Sequence, residues 1–309
     1  MAEIKIHVFH TGEVCVASEL PFGGEHCSTI KASGVFAKKS ERLWLPVSAY
    51  LIEIECSHGK ILFDCGWHRD MSPNGVFDKK AQVKSLGSLP LYVTNQGRLE
   101  KGAAIDEQFS ALGIHPADLD LVLLSHLDCD HANGLRLVAD AKQILVSKDE
   151  LLFAENKTPV NRIRYNANWW RGTKMQTFDW NGTEGPAGKS YDVFGNGSLV
   201  MVNIPGHSKG LCALKITGSD GRFVLLYQVV RREFFAHTFE PSITFNNYKV
   251  YVNTACLNKF PHADCAQLLI NQESRILALR PCAESERDAF SWCNTTGGRR
   301  KPEASAGNG

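Results

Sequence analysis

The sequence predicts an α/β fold with two β-sheets and helices on their outer faces. Three observations predict it. Short apolar runs of strand length recur up to residue 227, helical patterns lie between some of them, and turn-forming clusters separate neighbours at hairpin distance. The first strand candidate is IKIHVF (4–9). AYLIEIE (49–55) and KILFD (60–64) follow, joined by the turn SHGK. IDEQFSALG (105–113) reads as a helix and LVLL (121–124) as a buried strand. QILVS (143–147) runs into SKDELLFAE (147–155), a helix for which Ser147 is the N-cap candidate. After GNGS come the strands SLVMVNI (198–204), CALKIT (212–217) and RFVLLY (222–227), the last two joined by GSDG. Beyond Gln228 the periodicity degrades. CAQLLINQESRILALR (265–280) reads as an amphipathic helix, and the chain has the composition of a disordered tail from about residue 295. The expected organisation is one domain over 1–228 and a divergent segment over 229–309.

Composition narrows the function classes. The 309 residues are 43% hydrophobic, enough for one large domain with a sizeable core or for two small ones. The formal net charge of +1 favours neither nucleic acid nor an anionic membrane as a partner. No apolar run approaches the ~18 residues of a membrane span. The start MAEIKIHVFHTGEV has no basic region followed by an apolar one, so the expected compartment is the cytoplasm. The ten scattered cysteines then stay reduced. A small molecule is the expected partner.

The chemistry concentrates in SHLDCDHANGL (125–135), directly after LVLL. In an extended loop, residues two apart project to one side, so His126, Asp128 and Asp130 converge and His131 points away. Imidazole nitrogen and carboxylate oxygen suit zinc, manganese or iron. Gly134 allows a tight turn as a helix begins. NIPGHSKG (203–210) adds His207 in a second loop after a strand. KILFDCGWHRD (60–70) places Asp64 at a strand end before Gly66, where its carboxylate can bond backbone amides and orient a metal loop. In YNANWWRGTKMQTFDW (165–180), Trp169, Trp170 and Trp180 are either a substrate wall or packing residues.

The stretches AYLIEIECSHGKILFDCGWHRD (49–70), LVLLSHLDCDHANGL (121–135) and NIPGHSKGLCALKI (203–216) together resemble the metallo-β-lactamase superfamily, and within it the N-acyl-homoserine lactonase-like hydrolases. The resemblance spans about residues 5–228. It implies a four-layer αβ/βα sandwich and hydrolysis of small cyclic esters by metal-activated hydroxide. It implies that His126, Asp128 and His207 hold a first divalent metal, most simply zinc, with iron or manganese as alternatives. Asp130 and His131 would begin a second site, and Asp130 would help to protonate the leaving alkoxide.

The chain departs from the family pattern in three places. Asp128 stands where the motif has a second histidine. Gln228 stands near the position of a metal-bridging aspartate, with Val230 or Arg231 where a tyrosine is expected. Cys282 stands at the place of a last histidine, and a thiolate can also bind zinc. His237 and His262 lack the family context and read as ordinary histidines. The later departures begin where the strand pattern degrades. A change of reading frame near codon 227 would produce both losses together, and sequencing the gene from codon 220 tests it. The alternative function is a catalytically impaired family member that lacks the bridging aspartate and the last histidine.

Overall fold

A computed structural model describes residues 4–22, 33–54, 59–219, 221–227, 243–246, 249–252, 256–257, 260, 262–271, 276–287, 289–296, 299–302 and 305–306. The chain divides into two compact units, Met1–Arg231 and Arg232–Gly309.

The first unit is built on two sheets. Strands β1 (Ile4–Ala17), β2 (Arg42–Ile54), β3 (Gly59–Phe63), β4 (Gln96–Arg98), β5 (Leu119–Leu123), β6 (Ile144–Ser147) and β7 (Met175–Phe178) form a seven-stranded sheet in the order β4-β1-β2-β3-β5-β6-β7. Strands β8 (Ser190–Asp192), β9 (Leu199–Asn203), β10 (Cys212–Thr217) and β11 (Phe223–Leu226) form a second sheet in the order β11-β10-β9-β8. This is the mixed α/β class expected from the sequence.

Alternation along the central strands divides the apolar side chains between two cores. Ile61, Phe63, Leu121, Leu123 and Leu145 meet Leu199, Met201, Leu214 and Ile216 between the sheets. Leu62, Val122, Ile144 and Val146 point to the other face and pack under the helices through Leu86, Leu91, Ile105, Phe109 and Ala154. Strands buried on both faces read as continuous apolar runs, which explains LVLL. Ser147 caps the Lys148–Glu155 helix as expected, its hydroxyl accepting from the Glu150 N–H at 3.2 Å.

The β3–β5 and β5–β6 pairs are parallel. Their carboxyl ends therefore open on one edge, where α/β sheets bind ligands. The Cys212 N–H donates to the Ser125 carbonyl at 2.9 Å and ties the second sheet to that edge. Strand β11 ends the second sheet with Phe223, Val224 and Leu225 exposed.

The second unit contains β12 (Ile243–Asn246), β13 (Lys249–Val252), β14 (Cys265–Asn271), β15 (Ile276–Cys282), β16 (Phe290–Ser291), β17 (Cys293–Thr296), β18 (Arg299–Pro302) and β19 (Ser305–Ala306). Residues 265–271 and 276–282 pair as antiparallel strands, where the sequence predicts an amphipathic helix over 265–280. Their two short apolar runs flank the polar stretch NQES, and a short apolar run does not itself distinguish strand from helix. The segment with the composition of a tail carries the β17–β18 ribbon. A small core gathers on Trp292, whose indole N–H donates to the Ala263 carbonyl at 2.9 Å.

Candidate metal centre

Three chain segments deliver the site. The end of β3 presents Asp64, the end of β5 presents Ser125 to His131, and the loop after β9 presents His207. Among the described residues, His126, Asp128 and His207 place one donor atom each within 4.8 Å of one another. His207 Nε2 lies 2.5 Å from Asp128 Oδ2, and His126 Nε2 lies 3.4 Å from the same oxygen.

His126 is fully buried. Its Nδ1 lies 2.9 Å from the Ser125 hydroxyl, whereas its Nε2 has no hydrogen-bond partner among the described residues. A buried polar atom without a partner is costly. Here it faces a carboxylate and a second imidazole, an arrangement that a divalent cation fits.

Asp128 occupies the N-cap position of the one-turn helix Cys129–Ala132, yet its side chain caps nothing. It turns instead to the cluster. Burial raises its carboxyl, but the Arg164 guanidinium and His207 outweigh burial and hold it well below the usual carboxylate range. Arg164 grips both oxygens, Nε to Oδ1 at 2.5 Å and Nη2 to Oδ2 at 2.6 Å. Its Nη1 donates to the His207 carbonyl at 2.9 Å. Burial and the Arg164 charge hold His207 below its ordinary value against the pull of Asp128.

Asp130 and His131 lie beside this group. The His126 and His131 rings are 4.2 Å apart, and His131 Nε2 is 3.4 Å from Asp130 Oδ2. His131 therefore does not point away. The chain is extended at Asp128 but helical from Cys129, so alternation fails there and His131 swings back beside His126. Its Nδ1 meets Asp64 Oδ2 at 2.7 Å. Burial opposes a charge on His131, but Asp64 and Asp130 prevail and raise it well above its ordinary value. Burial likewise raises Asp130, and the His131 charge brings it below the usual range.

Asp64 accepts from the Ser125 N–H at 2.8 Å and from the Ser125 hydroxyl at 2.8 Å. It adopts a left-handed φ of 62°, a conformation that aspartate tolerates better than most residues. Gly134 serves close approach rather than a turn. A Cβ there would lie 2.5 Å from the Cys65 carbonyl oxygen, where the Gly134 N–H donates to the Gly66 carbonyl at 2.8 Å.

Two residues central to the site do not stand out in the sequence. Arg164 ends the Pro159–Arg164 helix. Glu150, fully buried, accepts from the Leu127 N–H at 3.0 Å and from the Gly210 N–H at 3.2 Å. It thus fastens the two histidine loops together. Trp169 and Trp170 are buried in the helix-side core, and the Trp169 indole donates to the Ser85 carbonyl at 2.9 Å. Trp180 packs edge-on against Phe178 and donates to Asp149. Cys282 belongs to the second unit, opposite Cys265 in the β14–β15 ladder, where His262 is exposed. Gln228, Val230, Arg231 and His237 lie outside the described residues.

Residues 42–159 match the model of the metallo-beta-lactamase superfamily. Over that stretch, less than half of the chain, it resembles a metallo-β-lactamase domain, and its curated homologues include N-acyl homoserine lactonases. It is 29% identical over 135 residues to N-acyl homoserine lactonase AttM of Rhizobium radiobacter, covering 41% of this chain and 47% of that protein. It is 28% identical over 151 residues to N-acyl homoserine lactonase AiiB of Agrobacterium fabrum, covering 48% and 49%. The chain spans about half the length of the curated relatives it matches. Among solved structures it resembles an N-acyl homoserine lactone hydrolase with N-hexanoyl-L-homoserine at its catalytic metal centre. The TM-score is 0.52 at 21% identity, over 73% of this chain and 75% of that one. A Bacillus thuringiensis AiiA variant with bound N-decanoyl-L-homoserine gives a TM-score of 0.52 at 22% identity, over 73% and 75%. These likenesses establish the fold.

Proposed function

We propose that the protein is a metal-dependent hydrolase that opens small cyclic esters of the lactone class. His126, Asp128 and His207 hold one divalent cation, and Asp130 and His131 begin a second site. The observation that carries this reading is the buried His126 Nε2, which has no hydrogen-bond partner among the described residues and faces Asp128 and His207. The names of the matched relatives supply the substrate class. Two imidazoles and a carboxylate suit zinc, and the oxygen donor also admits iron or manganese. A cation bound there supplies Lewis acidity and makes water nucleophilic near neutral pH.

The chain's own groups handle the protons. Burial opposes a charge on Asp130, but the charge and hydrogen bond of His131 lower its pKa and favour the carboxylate form. Asp130 can therefore accept a proton from attacking water and return it to the leaving alkoxide. Asp64 keeps His131 in place, and Glu150 holds the two loops at a fixed separation. Free thiols at Cys65, Cys129 and Cys212, all buried, are in keeping with a cytoplasmic compartment. No helix among the described residues is long and apolar enough to cross a membrane.

The direct test is elemental analysis of the purified full chain, with lactone-opening assays on an N-acyl homoserine lactone series. At least one tightly held divalent ion per chain is expected, lost in His126→Ala together with turnover. A metal-free chain after incubation with zinc, manganese and iron would end the proposal.

The raised His131 adds a pH dependence. A histidine with a raised folded value contributes stability that is present below its unfolded value of about 6.5 and lost as pH rises through the folded value. Metal entering at His131 must displace that proton. Metal affinity should therefore strengthen with pH, by up to about tenfold per pH unit while one proton is released. Competition titrations across neutral pH check this, and a flat profile contradicts it.

A further inference from the structure

We propose that Asp128 and Arg164 act together as one charge-neutral ligand. In this role Arg164 cancels the negative charge that Asp128 brings to the donor set and so sets the strength with which the site holds its cation. The inference rests on the metal-centre reading above and deepens it.

The geometry supports this directly. The guanidinium of Arg164 meets both oxygens of Asp128 in a parallel fork, at 2.5 and 2.6 Å. This is the strongest form of the carboxylate–arginine contact and fixes the orientation of the carboxylate. The fork leaves lone pairs on Oδ2, and that oxygen faces the imidazole nitrogens of His207 and His126 at 2.5 and 3.4 Å. One carboxylate thus has arginine on one side and the candidate cation position on the other. An ionised carboxylate paired with a guanidinium sums to zero, the charge of a neutral imidazole. Arg164 is also joined to the His207 carbonyl, so the compensating charge is fixed to both loops that supply donors. The side chains of Asp128 and Arg164 are 10% and 21% exposed, so solvent screens the pair little.

A purely mechanical role for Arg164 predicts something different. If Arg164 only clamped the loops, removing it would loosen the donors and weaken metal binding. If it cancels charge, removing it leaves a bare buried carboxylate among the donors, and a cation gains affinity. The converse change, Asp128→His, leaves Arg164 facing a cation with no anion between them.

The experiment is a double-substitution cycle read by zinc affinity, measured by chelator competition on the full chain, with circular dichroism as the check on folding. Arg164→Met is expected to bind zinc about tenfold more tightly than wild type, and Asp128→His about tenfold or more weakly, the scale of changes beside metal ligands. The double variant Asp128→His/Arg164→Met should return to within about threefold of wild type, because its donors again sum to neutral. Arg164→Lys keeps the charge without the fork and should stay near wild type, which preserves the test if Arg164→Met fails to fold. Weaker binding in Arg164→Met, or a double variant no better than Asp128→His, overturns the charge-neutral ligand while leaving the metal centre intact. A wild-type chain that binds no zinc, manganese or iron overturns both.

Discussion

Glu150→Ala should cost the metal-free protein on the order of 3–5 kcal/mol, because it removes two hydrogen bonds to a buried side chain and strands both backbone donors. Glu150 is fully buried, and its two oxygens accept from Leu127 and Gly210. Leu127 lies between two candidate ligands, His126 and Asp128, and Gly210 closes the loop that carries His207. Gly210 packs directly against the backbone that carries Glu150. A Cβ built there would lie 2.1 Å from the Glu150 backbone nitrogen. Glu150→Gln should fall between wild type and alanine. Its amide can accept from one N–H but presents a donor to the other. Denaturant melts of the three proteins in excess chelator would rank them. A loss below about 1 kcal/mol for Glu150→Ala, the size of an ordinary substitution, would show that the loops hold without this tie. Zinc affinity should fall in the same order, because the tie brings the donors together before the cation arrives.

Which parts of this site were legible in the sequence follows from chain distance. Asp64, His126, Asp128 and His131 lie within a few residues of the ends of β3 and β5, so an apolar run followed by polar residues marks them. His207 follows β9 in the same way. The LVL part of β5, β6 and β9 were legible because burial on both faces writes an unbroken apolar run, and β10 because buried apolar residues alternate with half-buried Lys215 and Thr217. Arg164 and Glu150 carried no such mark. Arg164 reaches Asp128 across 36 residues, and Glu150 reaches Gly210 across 60. An acidic residue in the first turn of a helix ordinarily reads as a partner of the helix dipole, which masks the role of Glu150. The inward turn of His131 was missed because one helical turn interrupts the alternation that an extended loop would keep. The tryptophans of 165–180 offered two readings, and burial decides for packing at Trp169 and Trp170.

Asp64→Asn isolates the orienting carboxylate with almost no change of shape, and its expected effect on metal binding is about 10- to 100-fold weaker affinity. Asparagine accepts the left-handed φ of 62° as readily as aspartate, so the backbone is preserved. The amide oxygen can still accept from the Ser125 N–H. The other position becomes an NH₂ donor opposite His131 Nδ1 and the Ser125 hydroxyl, where Asp64 Oδ2 now accepts at 2.7 and 2.8 Å. A donor facing Nδ1 requires that nitrogen to carry a lone pair. The ring proton then moves to Nε2, the nitrogen that faces Asp130 and would bind the second cation. His131 also loses the charge that raises it most strongly against burial. The variant should therefore release less proton on zinc binding than wild type as well as bind zinc more weakly. Calorimetric titrations in buffers of different ionisation enthalpy count that proton. Unchanged affinity and proton release would mean that Asp64 secures Ser125 and the strand end only, with no part in orienting His131.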